Sequence, residues 1–442
     1  MNLLIGAARR DISPKKPLFL WGYPHVPRTS TGIHDPLWAS AIAFRQGKDA
    51  LLLIACDALF ICPEGTRACR EAIHAKTGVP PERVLISCTH GHSAPVSVEY
   101  LTSRADPTVP PPDPEYVAQY HQAIVNAAID AFAKAEPAEL AVTSTPVSGV
   151  GTNRLSPDAP RDPEVGLLFA RRVKDASPLA LALVYAMHPT VMHEDSKLVS
   201  SDFPGFARNE IEAAFPGIQV NYHNGAAGNL SPRYSVKGQT FAEAERLGRI
   251  LGHAVTVALA GLEEKDFARS APLDGRIAKV GPIPRKVPSV EQAEATHQAA
   301  LANYERLKRE GAPHGPVRTA ECTTFGTEEA LLLAKLASTG ELDALVKRYT
   351  PAEVQALRIG NAALVALPGE FFVEYGLEIK KRAPMKTFVV SYANGELQGY
   401  IVTPEAAAAG GYEAQNSVFD CRSGALFVDA ALGLLKDLAK AG

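Results

Sequence analysis

VLISCTHGHSAP, residues 84–95, is the stretch whose reading decides the fold. Residues 84–88 have the length and β-branched content of a buried strand, and Gly91, Ser93 and Pro95 forbid its simple continuation. His90 and His92 are thereby left in a turn at a strand's end. Active sites of α/β proteins gather at such ends. Side chains two residues apart on extended backbone share a side, so a His-x-His pair there is a common metal arrangement. The plainer reading is two hydrogen-bonded surface histidines.

Outward from this stretch the same grammar repeats. Upstream, residues 38–45 and 50–56 read as strands joined by the hairpin turn QGKD (46–49), and residues 64–76 as a helix, which makes a strand-helix-strand unit with 84–88. Asp57 ends the second strand, as a helix cap or as a partner for a ligand. The chain opens with a strand at 3–8 and a loop rich in Gly, Pro and His (21–25 and 32–34) suited to lining a pocket. Downstream lie a Pro/Asp-rich loop (102–114) expected near the site, a helix (116–135) and strands at 140–146, 165–172 and 179–187. The last strand runs directly into His188-Pro189, as 84–88 runs into His90; a histidine bonded to a backbone carbonyl is the plainer alternative.

Polar loops between these elements carry further candidates. GTNRLSP (151–157) presents Asn153 and Arg154 as substrate contacts. In SSDFPG (200–205), Ser200 or Ser201 caps a helix at 206–214 and Asp202 suits its first turn, or serves as a catalytic carboxylate. A strand at 218–222 leads to NGAAGNLSP (224–232), whose glycines allow close backbone approach to an oxyanion, with Asn229 and Ser231 exposed to a substrate. A helix at 241–262 follows, then charged and Pro-rich irregular backbone from 263 to about 290. Helices are expected at 290–310, 328–339 and 350–354, so that about 265–350 forms a helical insertion or oligomer contact. A strand at 357–367 runs into Glu370, a helix follows at 373–381, and a short strand at 388–391 leads to Tyr400.

The whole reads as an α/β protein, mixed β-sheets flanked by α-helices in one large domain. With 442 residues, 46% hydrophobic and 21% charged, the chain can bury a large core. A net charge of −3 without basic runs argues against nucleic acid or an anionic membrane surface and leaves a small-molecule substrate. No segment approaches a membrane span or a signal peptide, so a cytoplasmic protein without a transmembrane segment is expected. Six cysteines without a CxxC pair suggest buried free thiols.

Six separated motifs, THGHS (89–93), MHPT (187–190), SSDFPG (200–205), GNLSP (228–232), LPGEF (367–371) and GYIVTPE (399–405) with YEA (412–414), fall in the order seen in the neutral/alkaline ceramidases. The chain resembles the catalytic domain of that family from GAARRDIS (6–13) to about residue 420. It departs in SVFDCR (417–422), in lacking a secretion signal, and in stopping where those enzymes continue into a C-terminal immunoglobulin-like domain. One catalytic domain spanning 1–442 is therefore expected.

The resemblance implies a zinc amidohydrolase with His90, His188, Glu370 and Tyr400 as ligands. It makes His92 a nearby polar partner able to shuttle a proton, and Ser231 the serine implicated in amide hydrolysis. Two imidazoles, a carboxylate and a phenolic oxygen leave zinc room for water, while Tyr400 is suited equally to binding the tetrahedral oxyanion. Two other readings stay open: a zinc enzyme acting on a carbohydrate or other C–O bond, and a non-catalytic metal-binding protein.

Overall fold

Alternate residues of the central strands face two different cores. In Trp38–Gln46, Ala39, Ala41 and Ala43 pack on one side while Ile42 and Phe44 pack on the other; in Asp49–Cys56, Leu52 and Ile54 oppose Leu51 and Leu53. The period of two is the strand's own, and two apolar faces demand a layer on each side. The computed structural model, which describes residues 2–440, shows those layers as helices, sheet, sheet, helices.

The first sheet has eight strands in the order Gln219–Asn224, Pro178–Tyr185, Glu164–Arg172, Glu136–Pro146, Leu4–Asp11, Trp38–Gln46, Asp49–Cys56 and Val84–Cys88. The pair at each end is parallel and the intervening neighbours are antiparallel. Its small-residue face packs against the helices Pro63–Thr77, Pro114–Ala133, Asp202–Ala214 and Phe241–Ala260. Its other face meets a second sheet, Leu273–Val280, Ala352–Ile359, Ala362–Ala366 and Lys386–Val390, through Leu357, Ile359, Leu364, Phe388 and Val390. Beyond that sheet, Val354, Ala356, Ala363 and Val365 pack with Phe371, Ile379, Phe427 and Leu435, the last four from or beside the helices Val373–Arg382 and Ser423–Lys440.

A row of polar side chains draws the two halves of the large sheet together. Gln219 donates to the carbonyls of Ala8 and Ala41, Asn221 to that of Ser40, and His223 Nδ1 lies 2.8 Å from Ser87 Oγ. Buried polar groups need such partners, and meeting that need brings the end of Gln219–Asn224 beside the end of Val84–Cys88. Asn224 then donates to Thr89 O, Ser391 N–H to Asn224 O, and Cys88 N–H to Tyr392 O. The carboxyl ends of strands from both sheets thus meet at one place.

The sequence reading needs correction in the second half. Residues expected to be irregular contain the strand Leu273–Val280, which pairs along its whole length with Ala352–Ile359. Residues 350–354, expected helical, begin that partner strand. The single strand expected at 357–367 is a hairpin folded at Gly360, whose φ of 65° is a left-handed conformation open to glycine. The helix Val290–Arg309 lies where one was expected, whereas His314–Ser338 begins well before the helix expected at 328–339 and Glu341–Arg348 precedes the one expected at 350–354. Asp57 caps no helix: it receives a bidentate ion pair from Arg208 at 2.7 and 2.8 Å and the Trp38 N–H, while Cys62 caps the following helix. No helix among the described residues is long and apolar enough to cross a membrane.

Candidate metal centre

Each metal-ligand candidate hangs from a strand end that has just been fixed. His90 follows Val84–Cys88, its N–H bonded to Ala58 O; its φ of 65° is strained for a residue with a Cβ. The strain turns its ring onto Tyr392, likewise left-handed at φ 55°, and the two stack 4.1 Å apart at 21°. His188 follows Pro178–Tyr185. Glu370 follows Ala362–Ala366 and pairs in parallel with Tyr400. Gly228 holds this last pair in place: its N–H donates to Phe371 O, and a Cβ there would lie 2.8 Å from Glu370 O.

His90, His188, Glu370 and the neighbouring His92 share one focus, and Tyr400 lines the cleft beside it. Glu370 Oε2 lies 3.2 Å from His188 Nε2 and 3.4 Å from His90 Nε2. One ring nitrogen from each of His90, His92 and His188 lies within 4.8 Å of those of the other two. The outer nitrogens are engaged: Nδ1–H of His188 donates to Ala227 O, that of His90 to Leu59 O and that of His92 to Gly22 O. Such carbonyl bonds fix the tautomer that leaves Nε2 a bare lone pair, and His92 Nε2 is buried without a partner.

Electrostatics keep the set ready for a cation. Burial, then Arg154, pushes His188 down to about 4, and burial with the neighbouring imidazoles holds His92 well below its ordinary range. Burial would raise Glu370, but the facing His90 and His188 hold it well below the usual carboxylate range. Neutral imidazoles beside an ionised carboxylate are what a metal requires of its ligands. Burial and the Glu370 charge push the Tyr400 phenol well up, a cost that a cation at the focus would reverse.

The fit to zinc can be tested on distances. Zn–N and Zn–O bonds of about 2.0–2.1 Å imply tetrahedral edges of about 3.3–3.4 Å between ligand atoms. The two Glu370 edges match that length. Two imidazole nitrogens, a carboxylate and a phenol are also the hard-to-borderline donors that zinc takes.

The other expected residues lie around this focus in different ways. Arg154 pairs with Glu413 at 2.6 Å, its guanidinium carbon 5.2 Å from the Tyr400 ring centroid, and its Nη2 is buried without a partner. The amides of Asn153 and Asn229 are engaged at both ends, Asn153 by Pro160 O and Leu155 N–H, Asn229 by Glu374 and Val373 N–H. Ser231 is 6% exposed, accepts the Arg233 N–H and lies opposite Thr152, on the strand pair that carries Asn153; it does not line the cleft over the metal focus. Asp202 accepts the Met192 and Phe203 N–H groups and so braces the loop after His188. Ser200 and Ser201 both bond Asp35; Ser201 stands at the helix N-cap without a side-chain cap bond, while Ser200 Oγ accepts the N–H of Asp202, the first residue of the helix.

Above the focus is a narrow cleft of about 80 Å³. Trp21 to His25 line it, as the loop composition suggested, and so do Asp106 and Val109 from the Pro/Asp-rich segment. Sequence reasoning missed Tyr392, Tyr412, Asn416, Phe325 and Glu329. Of these only Tyr412 left a signal, standing in the YEA motif; the others lie in segments whose composition is that of ordinary strands and surface helices.

These positions can be compared with known proteins. The family model described as neutral/alkaline non-lysosomal ceramidase, N-terminal, matches residues 3–231, more than half of the chain. The crystal structure of neutral ceramidase from Pseudomonas aeruginosa superposes with a TM-score of 0.75 at 21% identity, over 99% of this chain and 75% of that one. A ceramidase complexed with C2 does so with a TM-score of 0.74 at 20% identity, over 99% and 76%. At such identities the likeness is one of fold. No curated protein matches in sequence. A family match that spans the His90, His188 and Ser231 motifs, on a fold shared nearly end to end, places the chain in the neutral/alkaline non-lysosomal ceramidase family.

Proposed function

We propose that this protein is a zinc-dependent amidohydrolase that cleaves an N-acyl bond. The observation that carries the reading is the position of Glu370 Oε2, at tetrahedral-edge distance from the Nε2 atoms of both His188 and His90. The ligand set proposed is His90, His188, Glu370 and Tyr400, with His92 beside it. Zinc held there would act as a Lewis acid on the substrate carbonyl and lower the pKa of water toward neutrality.

The chain's own residues do the rest. Net hydrolysis forms a C–O bond from water, breaks the C–N bond and delivers one proton to the leaving amine. His92, with Nδ1–H held by Gly22 O and Nε2 bare, is placed to take that proton from water and pass it to nitrogen. Arg154, against the Tyr400 ring and outside the cleft, is proposed to polarise the Tyr400 hydroxyl, which would bind the carbonyl oxygen as negative charge develops. Ser231 is proposed to orient the amide through the strand pair that leads to Arg154. Burial keeps water away from these dipoles and so strengthens them.

The test is metal content together with a substrate panel. Purified protein should hold about one zinc per chain and hydrolyse members of a set of N-acyl lipids and N-acyl amines, with activity lost to chelation and restored by zinc. Hydrolysis of glycosides in place of amides, or full amidase activity without metal, would overturn the reading.

A further inference from the structure

The wall of the cleft that faces the metal ligands belongs to segments that hydrolysis alone does not explain. The helix His314–Ser338 contributes Phe325, Glu328 and Glu329, the loop after Thr102 contributes Asp106, and the short helix Tyr412–Asn416 contributes Asn416. Among the described residues no Lys or Arg lines the cleft. Asn416 is 3% exposed and gives its Nδ2 hydrogens to Thr102 Oγ1 and the Glu329 carboxylate, while its Oδ1 is buried and accepts nothing. Glu328 meets His25 at 2.6 Å on the rim, and Asp106 accepts the His25 and Thr108 N–H groups.

Such a wall offers the carboxyl groups of Asp106, Glu328 and Glu329 and the amide oxygen of Asn416 as acceptors, beside the hydroxyls of Tyr100, Thr102, Tyr400 and Tyr412, and no Lys or Arg side chain to oppose them among the described residues. An alkyl chain filling it would leave Asn416 Oδ1 without a partner, at a cost of about 1–3 kcal/mol, and would add nothing to the one bond that Glu329 accepts from Asn416. The narrowness of the cleft also argues for a short occupant. Glu329 reports the field of its surroundings: burial pushes it up to about 8, the Asn416 hydrogen bond resists, and Glu328, Glu370 and Asp106 push further. A cation beside it would restore its charge and gain a charge-assisted hydrogen bond.

We propose that the cleft takes short N-acyl compounds whose amine half carries a second, protonated amino group, such as a monoacylated alkyl diamine, with the ammonium received by Glu329, Glu328 and Asn416 Oδ1. This inference rests on the amide-hydrolysis reading for its chemistry and on the wall residues for its specificity.

Two measurements on the zinc-loaded full chain separate the two claims. The first compares kcat/KM for N-acetyl-1,4-diaminobutane and N-acetylpentylamine, equal in length and differing in charge. About tenfold or greater preference for the cationic amide is expected, falling toward unity in Glu329→Gln, a near-isosteric change that keeps the Asn416 bond. The second is calorimetric binding of 1,4-diaminobutane against 1,4-butanediol, which needs no turnover: the diamine should bind to the wild type and lose at least about tenfold in affinity in Glu329→Gln. Equal or better use of the neutral amide, or an undiminished preference in the variant, overturns the proposal. Diamine binding that depends on Glu329, without hydrolysis of either amide, supports the seat and counts against the amidase. Neither binding nor hydrolysis overturns both.

Discussion

Glu370 and Tyr400 stand directly opposite one another in a parallel two-residue ladder, so that two of the proposed ligands are set by one pair of backbone strands. Glu370 is also the atom source shared by both short edges to His188 and His90. Removing it takes the centre out of the set, whereas Tyr400 is one arm. His90→Ala and Glu370→Ala are expected to abolish zinc occupancy after dialysis with little change in the far-UV circular dichroism. Tyr400→Phe should weaken zinc by about 10–100-fold. Metal analysis by plasma mass spectrometry decides it, and full occupancy in Glu370→Ala would remove the proposed ligand set.

His92 is expected to act on protons and not to hold the metal. Gly22 lies against it: φ at Gly22 is 119°, and a Cβ built there would sit 2.4 Å from His92 Nδ1. Gly22→Ala therefore displaces the imidazole without touching its chemistry. Both His92→Ala and Gly22→Ala should retain zinc and lower kcat by about 100-fold or more, the usual scale of general acid–base assistance. Zinc loss in His92→Ala would instead make it a third imidazole ligand.

How far the sequence shows these relationships depends on the range of the physics involved. Val84–Cys88 is recovered to the residue, and the hairpin before it nearly so, because a buried strand broken by Gly and Pro is a local signal. Leu273–Val280 went unrecognised because its pattern, LDGRIAKV, mixes charge with apolar residues in the manner of an edge strand; it is sheet only because Ala352–Ile359 lies beside it. The strand-end histidines and Glu370 were legible as candidates, since each follows an apolar run. Their convergence was implied only by the family resemblance and not by the residues themselves, because it depends on the polar contacts of Gln219, Asn221 and His223 that draw two half-sheets together. The wall formed by Glu329 and Asn416 is less legible still: adjacent glutamates at the head of a Leu-rich helix look like a solvated face until another helix covers them.

The Asp57–Arg208 pair tests the packing beneath the site. Both side chains are almost wholly buried, at 1% and 7% exposure, and bonded at both oxygens. Asp57→Ala leaves the guanidinium buried without its counter-charge and takes an acceptor from the Trp38 N–H. Loss of about 3–5 kcal/mol is expected in urea unfolding, well above a surface substitution. Asp57→Ala combined with Arg208→Met should recover part of it, because the uncompensated charge is gone. A double variant no more stable than the single one would show that the cost lies in the lost contacts.

His223 gives the fold a dependence on acid that can be isolated. It is fully buried, its Nδ1 is 2.8 Å from Ser87 Oγ, and its Nε2 has no partner; burial pushes its pKa down to about 3. The unfolded chain, with a histidine pKa of about 6.5, therefore binds the proton more readily than the folded one between those two values. The stability contributed is complete above about pH 6.5 and declines as pH falls toward 3, by about 2 kcal/mol at pH 5 on the linkage relation. His188, pushed down to about 4, titrates in the same direction, so the wild type alone does not separate the two. His223→Gln keeps a hydrogen-bonding partner for Ser87 and cannot titrate. Urea midpoints should fall less between about pH 7.5 and 5 in this variant than in the wild type, with the difference near 2 kcal/mol. Equal losses in the two proteins would mean that the imidazole at 223 is not the group that acid must charge.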